Sequence, residues 1–278
     1  MSVESRPAVP VLDEGGRPPE RARTTGDRFR DQVLPPVLAV LAALAVWWPL
    51  TFVFDPFLPT PWEVVVAFVD AFASGDIFEH LAISLRRVAF AWLVSTILGA
   101  GIGIWMGRSR LVEAFLSPWV MVGLALPGPV IILFSVLLLG VEESSRLVAL
   151  VVAVTPFVVN IVYEQVRAVD PGLEDMTRVY RWPRNQQVRD LLLPQIAGAL
   201  FAAMAFAFAF SWKIVLIIEA LTTSEGIGGQ LSFFFKLLRP DKVVAWTLTF
   251  TVIMVIVDKF VFNRASRRIF AWRPEAKL

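Results

Sequence analysis

Six stretches of this 278-residue chain carry no aspartate, glutamate, lysine or arginine: 32–54, 88–107, 114–141, 147–163, 191–212 and 243–257. A helix of about 20 apolar residues crosses the hydrocarbon of a bilayer, and a spanning helix satisfies its own backbone groups where no water can. The chain therefore reads as all-α, a polytopic membrane protein of six transmembrane helices. Its bulk agrees: 56% of residues are apolar, only 18% are charged, and the mean hydropathy is +0.66. The runs 147–163 and 243–257 are short, so their helices must extend into Ser144, Arg146, Asp258 and Lys259 near the headgroups.

Charge sorts the segments between the spans. Arg6, Arg17, Arg21, Arg23, Arg28 and Arg30 precede the first, Arg108 and Arg110 fall between the second and third, and Arg167, Arg178, Arg181, Arg184 and Arg189 lie between the fourth and fifth. Lys259, Arg264, Arg267, Arg268, Arg273 and Lys277 close the chain, whereas residues 55–82 hold five acidic side chains and no lysine or arginine. Basic segments stay in the cytoplasm, so both termini are expected inside. This clustering at helix ends, without interleaved aromatics, argues against nucleic acid as a partner. Membrane lipid is the expected surroundings, with Trp47, Trp48, Trp105, Trp119 and Trp272 near span ends as interfacial anchors.

Residues 1–31, rich in Pro, Gly, Arg and Glu, lack an apolar period and are expected to be a disordered tail. A transmembrane domain over 32–265 and a C-terminal tail over 266–278 follow. Between the first two spans, Pro61 starts a segment with Val64, Val65, Phe68, Val69 and Phe72 at helical spacing, ended by Gly75. That pattern predicts an amphipathic helix at the outer surface, in contact with lipid or with the protein's own spans. The third run contains Pro118, Pro127, Gly128 and Pro129, so it must kink or break. A broken backbone is tolerated in a membrane where it faces protein or a water-filled cavity, so Pro127 and Pro129 are candidates for lining a passage.

The chain has no cysteine and a single histidine, His80, which excludes disulfides, thiolate metal sites, a cysteine nucleophile and any multi-histidine metal centre. His80 reads as an ordinary interfacial residue. Lys213 interrupts the fifth apolar stretch and Glu219 follows on a roughly neighbouring helical face; Arg86 and Arg87 sit near the outer end of the second. Charges at membrane depth mark pathways or pair to hold helices together. Arg86, Lys213 and Glu219 are thus candidates for substrate contact, against structural pairing for Lys213 and snorkelling to the headgroups for the arginines, and two adjacent arginines cannot both face one passage. An intramembrane enzyme would need a nucleophile with its base; Ser211 is the nearest to Lys213, two residues away and on another face. A stand-alone secondary carrier would need internal repeats and paired ionisable groups in its spans, and neither is legible.

The segment 163–194, YEQVRAVDPGLEDMTRVYRWPRNQQVRDLLLP, is a charged handle between two apolar spans. Asp170 followed by Pro171 fits an N-cap and first helical position, and Glu174 and Asp175 complement the helix dipole. Leu173, Met176, Val179 and Tyr180 recur at helical spacing, an apolar face in need of a partner. Trp182-Pro183 should interrupt this helix, a second short helix should run from Pro183 through Val188 to Leu193, and Pro194 should start the fifth span.

This layout resembles the permease subunits of binding-protein-dependent ABC importers. Their cytoplasmic loop reads Glu-Ala-Ala, three residues, Gly, nine residues, Ile-x-Leu-Pro. Set on Leu193-Pro194, the resemblance places Asp175, Met176 and Thr177 on the acidic triplet, Arg181 on the glycine and Leu191 on the isoleucine. LPTPWEVVVAFVDAFASGD, SLRRVAFAW, GIGIWMGRSRLVEAFLSP, VRAVDPGLEDMTRVY and SWKIVLIIEALTTSEGIGG look like the nitrate, taurine and aliphatic sulfonate branch, covering nearly everything from Leu58 onward. The resemblance implies a type I ABC importer permease fold whose 170–194 loop is a coupling helix docked on a separate ATPase. ATP and Mg would be bound by that partner and no cofactor or metal by this chain, which shows no GxxxxGK[ST] phosphate loop. It implies further partners: an extracytoplasmic solute-binding protein, and a second copy of this permease or a paralogous one. A small, anionic solute is the expected cargo, and Gly226, Gly228 and Gly229 in TTSEGIGGQ would belong to an extracytoplasmic gate or to a plain turn. Arg181 in the glycine's place is either strained or displaced by a turn shaped by Pro183.

Overall fold

A computed structural model describes residues 34–54 and 56–269 of the chain, and the predicted terminal tails lie outside the described residues except for 266–269. Among the described residues, those up to Pro61 and those from Trp62 onward form two separate compact units. In the first, α1 (Leu34–Val53) is apolar around its whole circumference and buries only Thr51, as a lipid-facing span does. Trp47 Nε1 donates to the carbonyl of Pro59 at 3.1 Å and folds the following turn against the helix end.

The second unit takes up α2 (Pro61–Ser74) from Trp62 on, and comprises α3 (Asp76–Arg108), α4 (Arg110–Ala125), α5 (Gly128–Leu139), α6 (Glu143–Arg167), α7 (Pro171–Val179), α8 (Leu193–Thr222), α9 (Gly226–Lys236) and α10 (Pro240–Ile269). No strand occurs among the described residues. Five helices are long and apolar enough to cross a membrane, six if the bent pair α4–α5 counts as one crossing. α2 has the boundaries expected for the amphipathic helix and buries Val64, Ala67 and Ala71. Its apolar side, with Val65, Phe68 and Phe72, meets Ala245, Leu248, Val252 and Ile253 of α10 across an apolar groove.

The spans run past the charges that bounded them in the sequence. α3 starts eleven residues before Arg87, and α8 carries both Lys213 and Glu219 inside the helix. The third run breaks as its prolines require: Leu126 and Pro127 are extended, and the axes of α4 and α5 turn by 106°. Gly128 packs at this elbow so tightly that a Cβ there would come within 2.9 Å of Ile214 Cδ1 on α8.

α3 and α6 form the central pair. Ala91, Ser95, Gly99 and Gly103 recur every fourth residue on α3, all buried, and Gly107 continues the stripe. Cβ atoms at Gly99, Gly103 and Gly107 would meet Val158, Val159 and Val166 of α6 at 2.5–2.8 Å, so only glycine permits this approach. In lipid, where no hydrophobic force pushes helices together, such small-residue seams let dispersion contacts and backbones do so.

One expectation fails. The segment after Pro183 is not a separate short helix: a turn at Arg184–Gln186 passes through a π-helical stretch, Gln187–Leu192, directly into α8, giving one continuous helix from Arg184 to Thr222. Pro194 has no N–H to return to the preceding turn and its ring crowds the carbonyl four residues back; widening that turn to π geometry relieves both, so the helix need not break.

Candidate functional site

Two sites at opposite ends of the bundle hold most of the charged side chains that the sequence marks as candidates. The first surrounds Arg87, whose side chain is wholly buried eleven residues into α3. Its Nη1 donates to Glu219 Oε1 at 2.8 Å, its Nη2 to Glu143 Oε2 at 2.7 Å and its Nε to Glu143 Oε1 at 2.9 Å. Glu225 approaches Nη2 at 3.6 Å, and Arg146 donates to Glu143 Oε2 at 3.0 Å. Glu219, equally buried, also accepts from Ser84 Oγ at 2.8–2.9 Å and from the Gly228 N–H at 2.9 Å.

This network fastens the start of α9. Ser84 Oγ accepts from the Ile227 N–H at 2.8 Å and His80 Nδ1 from the Gly226 N–H at 3.2 Å, so three first-turn donors of α9 find partners on α3 and α8. A helix start presents unpaired N–H groups and partial positive charge, which the Glu219 carboxylate complements. The glycines of TTSEGIGGQ are therefore packed rather than loose. Gly226 takes φ 78, and a Cβ on Gly228 would lie 2.7 Å from Glu219 Cβ. A Cβ on Gly229 would lie 2.5 Å from the Ser224 carbonyl carbon. His80, expected to be an ordinary interfacial residue, accepts a backbone N–H through its side-chain Nδ1 and packs 5.7 Å from the Trp246 ring.

The pathway candidates do not converge. Arg86 has an exposed side chain and touches Glu143 at 3.3 Å, while its neighbour Arg87 is the buried one and is already matched by carboxylates. Glu219 belongs to the network, but Lys213 does not pair with it: Lys213 is exposed, with Nζ 5.7 Å from the Trp212 ring centroid. Pro127 and Pro129 lie at the elbow and in the first turn of α5. Helix phase separates Arg87 from Arg86, because Arg87 shares its face with Ser84, Ala91 and Ser95, all buried. Glu143, at the start of α6, carried no signal beyond its charge.

The second site is the 170–194 loop. Asp170 Oδ1 accepts from the Gly172 N–H at 2.8 Å, the expected N-cap of α7. Glu174 reaches Arg108 at the end of α3, 3.5 Å away, and Asp175 pairs with Arg178 at 3.1 Å. Thr177 is buried, with its hydroxyl on the Glu174 carbonyl. Met176, Val179, Tyr180 and Leu193 are exposed, so the apolar face of the loop is uncovered within this chain. Trp182 turns partly inward and its carbonyl accepts from Gln187 Nε2 at 3.0 Å. Leu191 is buried and Pro194 exposed. Nearby, Glu113 of α4 accepts from the Tyr163 hydroxyl at 2.6 Å and from Arg167, tying α4 to α6.

Arg181 takes φ 51. The Trp182 N–H bonds the Thr177 carbonyl at 2.9 Å and the Arg181 N–H the Arg178 carbonyl at 3.1 Å, the double closure of a Schellman motif with arginine at the glycine position. An L-residue there costs roughly 1–2 kcal/mol, part of which the greater chain entropy of glycine would offset. Arg181→Gly is expected to stabilise the end of α7 by about 1 kcal/mol, read as about fivefold slower hydrogen exchange at the Arg181 and Trp182 amides of the purified protein. Unchanged or faster exchange contradicts strain at Arg181.

The family described as "Binding-protein-dependent transport system inner membrane component" matches residues 99–269. The putative aliphatic sulfonates transport permease protein SsuC of Bacillus subtilis (strain 168) is 27% identical over 277 residues, 98% of each chain. The taurine transport system permease protein TauC of Escherichia coli (strain K12) is 23% identical, covering 86% of this chain and 89% of that one. The nitrate import permease protein NrtB of Synechocystis sp. is 22% identical, covering 89% and 93%. Among solved structures, an inward-facing MetNI methionine ABC transporter aligns with TM-score 0.59 at 18% identity, covering 78% of this chain and 99% of that one. An amino acid ABC transporter aligns with TM-score 0.61 at 16% identity, covering 72% and 97%. At such identities these two likenesses speak for the fold.

Proposed function

Since the chain belongs to the binding-protein-dependent transport system inner membrane components, we propose that it forms the translocation pathway of an ATP-driven importer for a small anionic solute. A separate ATPase drives it through the 170–194 loop and an extracytoplasmic binding protein delivers the cargo. The observation that carries the reading is the face of α7: Met176, Val179 and Tyr180 stand exposed on a loop whose polar contacts turn to its own bundle. Apolar side chains repeated at helical spacing and left uncovered are what a groove on a partner would take up. ATP and Mg then reside on that partner.

Orientation follows from charge. The end carrying α7 also holds Arg108, Arg110, Arg167, Arg178, Arg181, Arg184 and Arg189, and this basic cluster supports a cytoplasmic setting for that end in an inner-membrane protein with both termini inside. The Arg87 network then lies toward the extracytoplasmic side, where α9 would meet the delivered solute as part of the gate. The anionic cargo is supported by the sulfonate, taurine and nitrate carriers among the relatives. A second copy of this chain, or a paralogue, completes the pathway.

The test is reconstitution in proteoliposomes with a candidate ATPase and a candidate solute-binding protein. ATP-dependent uptake that requires all the components is expected, with one permease species recovered for a homodimer and two for a heterodimer. Transport by the purified chain without any ATPase would replace this reading with a stand-alone carrier.

A further inference from the structure

Resting on the proposed function, we infer that Lys213 is the fixed positive charge of an anion-binding step on the translocation path, set in the Glu219-side third of α8 at the level of the Pro127–Gly128 elbow. Its depth is fixed from two directions. It lies six residues, about 9 Å along the helix, inward of Glu219. It also directly precedes Ile214, whose Cδ1 would be 2.9 Å from a Cβ on Gly128.

Its surroundings separate it from the other membrane-depth charges. Arg87 and Arg146 are held by Glu143, and Arg87 by Glu219 as well. Among the described residues Lys213 has no carboxylate partner; its recorded interaction is with the ring of its neighbour Trp212. It is exposed, and so are Phe206 and Ile217, which share its face seven residues before and four after. An ammonium facing lipid at this depth is costly, which favours water or solute over acyl chains on the face it occupies.

The elbow adds to the field. The extended Leu126-Pro127 backbone opens into α5, a twelve-residue helix whose positive dipole end therefore lies at the same level. An ammonium supplies three donors without directional constraint, which suits small oxyanions, the nitrate or sulfonate group, and offers a neutral solute no such advantage. Arg87 cannot play this part, since its three guanidinium nitrogens are already engaged by carboxylates.

Reductive methylation of the permease–ATPase complex in nanodiscs, quantified lysine by lysine, tests the inference. Lys213 should react in at least one nucleotide state. Ethanesulfonate or nitrate should slow that reaction about threefold relative to chloride, the protection a one-site ligand gives at about twice its dissociation constant. Lys236, exposed at the end of α9, should be indifferent to the anion. A Lys213 inert in every nucleotide state, or one whose reaction ignores both anions, overturns the inference while an ATP-coupled complex stands. Failure of the chain to assemble with an ATPase would instead remove the function on which it rests.

Discussion

Glu219→Gln should lower the stability of the purified permease by about 3–5 kcal/mol, and Arg87→Met added to it should restore most of that loss. The single variant leaves a guanidinium buried in α3 without its one fully buried carboxylate, because only the partly exposed Glu143 and, at 3.6 Å, the exposed Glu225 remain. The double variant removes both buried charges. The introduced amide oxygen, in the place of Oε2, can still accept from the Gly228 N–H and the Ser84 hydroxyl, and Glu143 keeps Arg146 and Arg86. Breaking a buried pair is expensive, whereas replacing it whole by groups of similar volume is often close to neutral. Unfolding in detergent, run as a double-mutant cycle, should therefore give strong coupling between positions 87 and 219. Additive losses would mean that the two side chains stabilise the fold independently and that the start of α9 is held by something else.

Span number, the broken third span, the amphipathic α2 and the capped α7 were legible because each depends on local chemistry: a charge-free run, proline, an N-cap, an apolar period. What escaped depends on which face of a helix is buried. A charge-free run ends at the first charge whether that charge meets water or a carboxylate, so the rule cut α3 at Arg87 and α8 at Lys213, though both helices continue. The stripe Ala91, Ser95, Gly99, Gly103, Gly107 was readable at a spacing of four and would have put Arg87, not Arg86, on the buried face. Pairing with Glu143, Ser84 and the amides of α9 was not readable, since partners from four helices meet only after folding. Pro194 misled differently: it marks a helix start in isolation, but the π turn before it let the helix run through.

Val179→Asp with Tyr180→Asp should cut ATP-driven uptake about thirtyfold or more while leaving insertion and unfolding temperature near the parent's. Val179 is 77% exposed and Tyr180 71%, so neither carries the fold of this chain. Surface substitutions away from packed or paired groups change stability by only a few tenths of a kcal/mol. Docked in a groove, the same side chains would be desolvated, and an unpaired carboxylate in each place would oppose docking at about 2 kcal/mol or more, the scale of an interface hot spot. Asp175→Lys with Met176→Lys, on the first turns of the same helix, should act in the same direction. Basal hydrolysis by the ATPase should persist, since its chemistry lies elsewhere, so the signature is hydrolysis without uptake. Arg108→Ala offers the contrast: it loosens α7 from α3 at a 3.5 Å contact that is itself partly exposed, and a surface pair of that kind is worth under about 1 kcal/mol. If the acidic pair at 179 and 180 transports normally while Arg108→Ala does not, force enters through the flank of α3 and the exposed apolar face of α7 is not the docking surface.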